Sequence, residues 1–222
     1  MGKTIAIIPA RGGSKRLPNK NIKIFNGIPL IAHSINYALS NSHIIDDVYV
    51  STDSDIIKKI ANNYGAKVIN RPDKLSGDSE PTVTALKHAL SFLDKTVETI
   101  VLLQATNPLR PENLLCEAFK AYNTSDTDSL FTVSRDHKKL GKISNNKFIP
   151  FNYNIGQRSQ DLEPLYFENG LIYITSVSLI KKDVIFNEMS HPFIVNHKFA
   201  GIDIDTQEDF DYAEYILKNY NE

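Results

Sequence analysis

Four cationic side chains, Arg11, Lys15, Arg16 and Lys20, crowd into residues 11–20 beside Gly12, Gly13 and Ser14. Glycines let backbone N–H groups approach an anion closely, and the cations supply charge-assisted hydrogen bonds to it. The apolar run Ile5–Ile8 comes just before, so the pattern reads as a strand opening into a polyphosphate cradle. Such a cluster is self-repelling unless an anion is present. A phosphate–ammonium pair at ~4 Å gains about 1 kcal/mol in bulk water and about 4 at an effective dielectric of 20, so these cations matter most in a closed cleft. The glycine and lysine spacing fits neither the Walker A motif nor the dinucleotide fingerprint.

At the far end, Asp203 and Asp205 alternate with Ile202 and Ile204. In a strand, residues two apart share a face, so both carboxylates would point one way and both isoleucines into the core. Two hard oxygen donors at that spacing suit Mg²⁺, which is commonly held by one or two carboxylates together with phosphate oxygens and water. Asp205 beside Thr206 also reads as a helix cap, which leaves Asp203 unexplained. Residues 1–45 hold six Lys or Arg and no acid, while 199–217 hold six acids and no Lys or Arg. If both ends meet in one cleft, the cations hold phosphates and the acids a metal. Gln104, Arg71 (extended because Pro72 follows) and Glu168-Asn169-Gly170 are further polar candidates, each also readable as a turn residue. The six histidines show no metal-ligand spacing, and no Ser/His/Asp arrangement is evident.

The elements that must position these residues alternate. Strands are expected at Ile5–Ile8, Asp47–Ser51, Lys67–Asn70, Thr99–Gln104, Ser129–Val133, Gly170–Thr175, near Phe193–Phe199 and at Gly201–Asp205. Helices are expected from Pro29 to about Ser40, from Asp53 or Ser54 to Gly65, from Pro81 to about Leu93, from Pro111 and after Asp205. This order predicts an α/β fold, a mostly parallel twisted sheet wrapped by helices in three layers. Ligands of open α/β sheets sit at the carboxyl ends of the strands, where the cradle lies. Between about 134 and 168 the pattern fails, yet Phe148, Ile149, Phe151, Tyr153, Leu162 and Leu165 are apolar. That stretch reads as an extension docking on a partner subunit, because exposed apolar groups need a cover.

At 222 residues, with 41% hydrophobic and 23% charged residues, the chain suits one globular domain spanning 1–222. A formal net charge of -1 gives no reason to expect nucleic acid or an anionic membrane as partner. No stretch approaches the ~20 apolar residues of a membrane span, and no signal peptide is expected. The single cysteine excludes an intramolecular disulfide and suits a reducing cytoplasm. Cys116 reads as a packed helix residue, not a nucleophile.

Together the segments resemble the acylneuraminate cytidylyltransferase family, the CMP-sialic acid synthetases. The matching pieces are Ile8-Pro-Ala-Arg-Gly-Gly-Ser-Lys-Arg-Leu-Pro-Asn-Lys-Asn21, Val50-Ser-Thr-Asp53, Arg71-Pro72, Leu103-Gln-Ala-Thr-Asn-Pro-Leu-Arg110, Gln157-Arg-Ser-Gln-Asp161, Glu168-Asn-Gly170 and Ile202-Asp-Ile-Asp-Thr206. The resemblance implies a Rossmann-like nucleotidyltransferase that moves CMP from CTP to the anomeric hydroxyl of a nine-carbon 2-keto acid, releasing pyrophosphate. It implies that Arg11, Lys15 and Lys20 hold the triphosphate within the Gly12-Gly13-Ser14 loop, with Asn21 beside them. Arg71 and Thr82 would contact cytosine, and Gln104, Arg158 and Asn169 the acidic sugar. Asp203 and Asp205 would bind Mg²⁺, and the 134–168 extension would form a homodimer. Phe167 stands where some members carry an arginine, which leaves N-acetylneuraminate, legionaminate and pseudaminate open as substrates. Rivals from other classes are a metal-dependent nucleotide-sugar glycosyltransferase and a non-catalytic nucleotide-sensing module.

Overall fold

The computed structural model describes residues 2–220. Its centre is β1 (Lys3–Pro9), whose Thr4–Ile8 segment is buried throughout. Isoleucines on both faces are what a strand covered on both sides requires. The chain continues through a short hairpin, β2 (Ile24–Phe25) and β3 (Ile28–Pro29), into α1 (Leu30–Ser40). Asn26 and Gly27 both have positive φ, 46° and 83°, as a tight hairpin turn with twisted strands demands. Next come β4 (Asp47–Thr52), α2 (Asp55–Asn63), β5 (Lys67–Asn70), α3 (Thr82–Leu90), β6 (Val97–Leu102) and α4 (Leu114–Thr124). The remainder comprises β7 (Ser129–Asp136), β8 (Gly141–Ser144), β9 (Lys147–Pro150), β10 (Leu165–Ser176), α5 (Val177–Lys181), β11 (His191–Ile194) and α6 (Gln207–Asn219).

Seven strands form one sheet in the order β11-β7-β10-β6-β1-β4-β5. All its pairings are parallel except those of β10, which runs antiparallel to both neighbours. Alternation along β1 divides the core. Ala6 and Ile8 pack with Ile31 and Ile35 of α1, Ile57 of α2 and Leu115 of α4, whereas Ile5 and Ile7 pack with Leu86 of α3 and Ile180 of α5. Burying each such side chain stabilises the fold by about 1.5–3 kcal/mol. The expected α/β three-layer architecture is thus observed.

A third cluster joins the two ends of the chain. Leu17 and Phe25 pack with Phe199, Ile202, Ile204, Phe210, Ala213 and Ile216, which seats α6 beside the loop that follows β1. Thr206 caps α6 through a reciprocal pair with Asp209, the Thr206 Oγ1 accepting from the Asp209 N–H at 3.2 Å.

Several expectations are corrected. Gly201–Asp205 is not a strand: a 3₁₀ turn at Lys198–Gly201 precedes it, and the Ile204 N–H donates to the Thr106 carbonyl instead of to a ladder. Ile202 and Ile204 are buried as the alternation required. The eleventh strand, His191–Ile194, overlaps only the first two residues of the stretch expected, and α4 begins three residues after Pro111. Cys116 is exposed, because α4 buries Leu114, Leu115 and Ala118 and turns the intervening position outward. The 134–168 stretch is ordered. β7 and β10 extend into it, and β8 and β9 form a hairpin about Asn145 and Asn146, both at positive φ. Its apolar residues Ile143, Phe148, Ile149 and Phe151 are exposed in the single chain, Ile143 at 81%.

His33 ties α1 to the first hairpin. Its Nε2 donates to the Phe25 carbonyl at 2.9 Å and its ring meets the Phe25 ring edge-on. Burial, chiefly, holds its pKa below the ordinary 6.5, with the charge of Arg110 adding to the shift. A depressed folded-state pKa means that the unfolded chain takes the proton first as pH falls. Stability should therefore decline as pH drops below about 6.5, and urea unfolding of His33→Gln should decline less over pH 7 to 5 than the parent does.

Candidate active site

The residues following three parallel strands meet at one edge of the sheet. Ala10 and Arg11 follow β1, Arg71 follows β5, and Gln104, Ala105 and Thr106 follow β6. They line a cleft of about 610 Å³ whose other walls are Ser14–Leu17, Lys20, Asn21, Leu75–Asp78, Glu80–Thr82 and Asp205.

Backbone and side-chain bonds shape the cradle. The Ala10 N–H donates to the Ser51 carbonyl, and the Asn21 side-chain amide donates to the Arg11 carbonyl, both at 2.9 Å. The Gly12 N–H donates to Asp53 Oδ1 at 2.9 Å, so it is committed within the chain and not open to an anion. Gly12 has a different reason to be glycine: a Cβ there would lie 2.9 Å from the Ser54 Cβ, at the start of α2. Ser54, not Asp53, caps that helix, accepting from the Ile57 N–H.

The cations are already matched. Arg11 pairs with Asp78 at 2.7 Å, and Lys15 contacts the other oxygen of the same carboxylate. Lys20 pairs with Asp205 Oδ1 at 2.8 Å and Arg16 with Oδ2 at 2.6 Å. The repulsion expected of the cluster is thus relieved by two carboxylates, one from the β5–α3 loop and one from the start of α6. The Lys15 hydrogen bond, first, and then Arg11 hold the Asp78 carboxyl below the usual range.

Arg71 is buried, donates from Nε to Ser76 Oγ at 3.0 Å, and has its pKa lowered by that burial, against which the charge of Asp53 acts. Thr82 stands at the first turn of α3 on the cleft wall. The Gln104 carbonyl accepts from Ser34 Oγ at 3.1 Å and from Arg110 Nη2 at 2.8 Å, which leaves its side chain toward the cleft beside Thr106. Asp203 keeps a solvent-facing edge, but its carboxyl is crowded by protein. Burial, first, and then the charge of Asp205 raise its pKa, while the Thr106 hydroxyl opposes them.

Arg11, Ser14, Lys15, Lys20, Asn21, Arg71, Thr82, Gln104 and Asp205 therefore share one cleft, with Asp203 at its margin. Gly12 and Gly13 are not among the residues that line it. Arg158 does not reach this chain's cleft: it is exposed and pairs with Asp161 through Nε at 2.8 Å and Nη2 at 3.1 Å. Asn169 is buried elsewhere. Its Oδ1 accepts from Thr132 Oγ1 at 2.6 Å and from the Leu171 N–H at 3.1 Å, and its Nδ2 donates to Ser134 Oγ at 3.0 Å.

Residues 5–220 match the family described as Cytidylyltransferase. A pseudaminic acid cytidylyltransferase from Campylobacter jejuni is 35% identical, with 97% of each chain covered. An N-acylneuraminate cytidylyltransferase from Streptococcus agalactiae is also 35% identical, over 94% of this chain and 52% of that protein. The chain belongs to the acylneuraminate cytidylyltransferase family. A synthetase structure named for CMP:2-keto-3-deoxy-manno-octonic acid and complexed with CTP shares the fold, at a TM-score of 0.74 with 16% identity, over 97% of this chain and 98% of that one.

In this cytidylyltransferase, sequence reasoning missed Asp78 and Thr106 as cleft residues and placed Arg16 there without a partner. Asp78 sits in a loop without periodicity, so only the chain path brings it to the cradle. Arg110 was visible as the end of a motif, but its work is internal: Nε donates to the Leu171 carbonyl at 2.7 Å and Nη1 to Ser34 Oγ at 3.0 Å.

Because Asn169 satisfies three buried partners, Asn169→Ala should lower the unfolding free energy by about 2 kcal/mol or more, read from urea unfolding without substrate. A pure sugar contact would leave that stability unchanged.

Proposed function

We propose that this cytidylyltransferase transfers CMP from CTP to the anomeric hydroxyl of a nine-carbon 2-keto acid sugar and releases pyrophosphate. The observation that carries the reading is the cleft in which four cations of one loop face a nucleotide-sized space closed by Arg71 and Thr82. Names of the matched relatives support an acidic sugar as acceptor, with N-acylneuraminate and pseudaminic acid as the leading candidates.

In the reaction proposed, an oxygen lone pair of the sugar hydroxyl attacks the α-phosphorus in line. The new O–P bond forms as the bond from α-phosphorus to the bridging oxygen breaks, and pyrophosphate departs with that electron pair. Arg11 and Lys15 neutralise the departing charge, and Lys20 holds the phosphates from the cradle floor. Arg71 and Thr82 bind the cytosine end, and Gln104 orients the acceptor, so that positioning contributes much of the rate. The hydroxyl proton passes to water or to a carboxylate such as Asp203.

Asp203 and Asp205 fit a role in holding Mg²⁺, which would neutralise and orient the phosphates. Asp205 already binds positive charge through Arg16 and Lys20, and a cation would stabilise the ionised Asp203 carboxylate against the desolvation that raises its pKa. Among the described residues no group of three or more His, Cys, Asp or Glu is arranged to hold a metal, so phosphate oxygens and water would complete the shell. The exposed apolar hairpin of β8 and β9 supports a homodimer in which this extension covers a second copy and Arg158 is offered to its cleft. No helix among the described residues is long and apolar enough to cross a membrane, and the lone cysteine suits a reducing cytoplasm.

Incubation with Mg²⁺, CTP and N-acetylneuraminate, legionaminate or pseudaminate should release pyrophosphate with at least one acid. Binding of CTP without release from any of them would favour the sensing module and overturn the synthetase reading. Asp205→Ala should cut turnover about 10²-fold or more while far-UV circular dichroism stays unchanged.

A further inference from the structure

Asp78 is absent from every motif that led to the cleft, yet its carboxylate touches both cations that face the triphosphate. Arg11 reaches one oxygen at 2.7 Å and Lys15 reaches the other. Asp78 lies in the loop between β5 and α3, in the wall formed by Leu75, Ser76 and Gly77 and by Glu80, Pro81 and Thr82. The contact therefore bridges two opposite walls. A ligand anion that reaches Arg11 and Lys15 meets a site already filled by the chain.

We infer that Asp78 is an internal counter-anion occupying the β- and γ-phosphate position, which a nucleoside triphosphate must displace and a monophosphate leaves in place. The inference rests on the CTP reading of the cleft. Its basis is charge. A carboxylate carries one negative charge, whereas a triphosphate carries up to about four, so at the same two cations the triphosphate gains more Coulomb energy. The side chains of Asp78 and Lys15 are 41% and 79% exposed, and ion pairs so exposed are weak enough to exchange. Lys20 differs: its side chain is only 10% exposed, and its 2.8 Å pair with Asp205 on the cleft floor is less open to exchange. The two carboxylates thus divide the labour, Asp205 holding the cradle and Asp78 guarding its mouth.

The same pair explains a way to release product. Once pyrophosphate leaves, Arg11 and Lys15 regain Asp78, and the remaining CMP-sugar carries no β-phosphate to compete for them. Asp78 thereby weakens retention of triphosphate and pyrophosphate at these two cations while leaving a monophosphate unaffected. It contacts no reacting atom.

Isothermal titration of Asp78→Asn, Asp78→Glu and the parent tests this, with CTP, CMP and inorganic tripolyphosphate as ligands and no sugar acid present. Removing two exposed pairs, each worth up to about fivefold, should tighten CTP and tripolyphosphate about three- to tenfold in Asp78→Asn. CMP affinity should stay the same, and Asp78→Glu, which keeps the anion, should match the parent. Unchanged or weaker tripolyphosphate binding by Asp78→Asn would overturn the inference, as would equal tightening of CMP. Failure of the parent to bind CTP would instead overturn the nucleotide reading, while the tripolyphosphate arm still judges the counter-anion.

Discussion

The contact on which the rest of the site depends joins the two ends of the chain: the buried Lys20 ammonium against the Asp205 carboxylate, at 2.8 Å. A buried ammonium left unpaired is costly, so the shape of the first loop and the docking of α6 support each other. The docking is driven by Leu17 and Phe25 packing with Phe210 and Ile216. Hydrophobic burial thus brings together a basic segment and an acidic one nearly 200 positions apart in sequence. The charges then fix their register.

A second dependency runs through the loop after β6. Its Gln104 carbonyl is held by Ser34 and Arg110, and its Thr106 carbonyl accepts from the Ile204 N–H at 2.8 Å. Asn107 donates to the Ile202 carbonyl at 2.8 Å and to the Asn169 carbonyl at 3.2 Å. One loop therefore sets the position of Gln104, of the Asp203–Asp205 segment and of the irregular start of β10 at once. Gly170, at φ 73°, lets that strand turn: a Cβ there would come 3.0 Å from Asn107 Oδ1. Arg110 beneath it is buried and its pKa falls to about 10 from desolvation, against which the charge of Tyr37 acts; its guanidinium donates to two carbonyls and to Ser34. Buried polar groups of this kind are rigid because each loses a partner if any one moves.

The charged lining then has two settings by construction. The four cations of its first loop share two carboxylates of the chain, so their mutual repulsion is eased without their positive charge being cancelled, and under the proposed function a polyphosphate enters by exchange. That differs from the picture of a bare basic loop awaiting its ligand. Weak, exposed pairs suit exchange at the mouth of the cleft, and the part-buried pair at its floor exchanges less readily.

Much of this was legible in the sequence, because its signals are local. The apolar run of β1, the β/α order and the clustered cations each depend on neighbours in the chain, and from them the α/β fold and the basic loop at the cleft follow. The family resemblance also named Arg71, Thr82 and Gln104, which do share the cleft. Tertiary structure alone decided what those groups touch. That Gly12 serves packing against Ser54, that Asn169 is a buried scaffold residue, and that Cys116 faces outward all turn on partners distant in sequence. So does the pairing of Asp78 with Arg11 and Lys15. Local propensity is written in one segment at a time, whereas the partner of a charge is set by where the sheet edge delivers two loops, and no single segment carries that information.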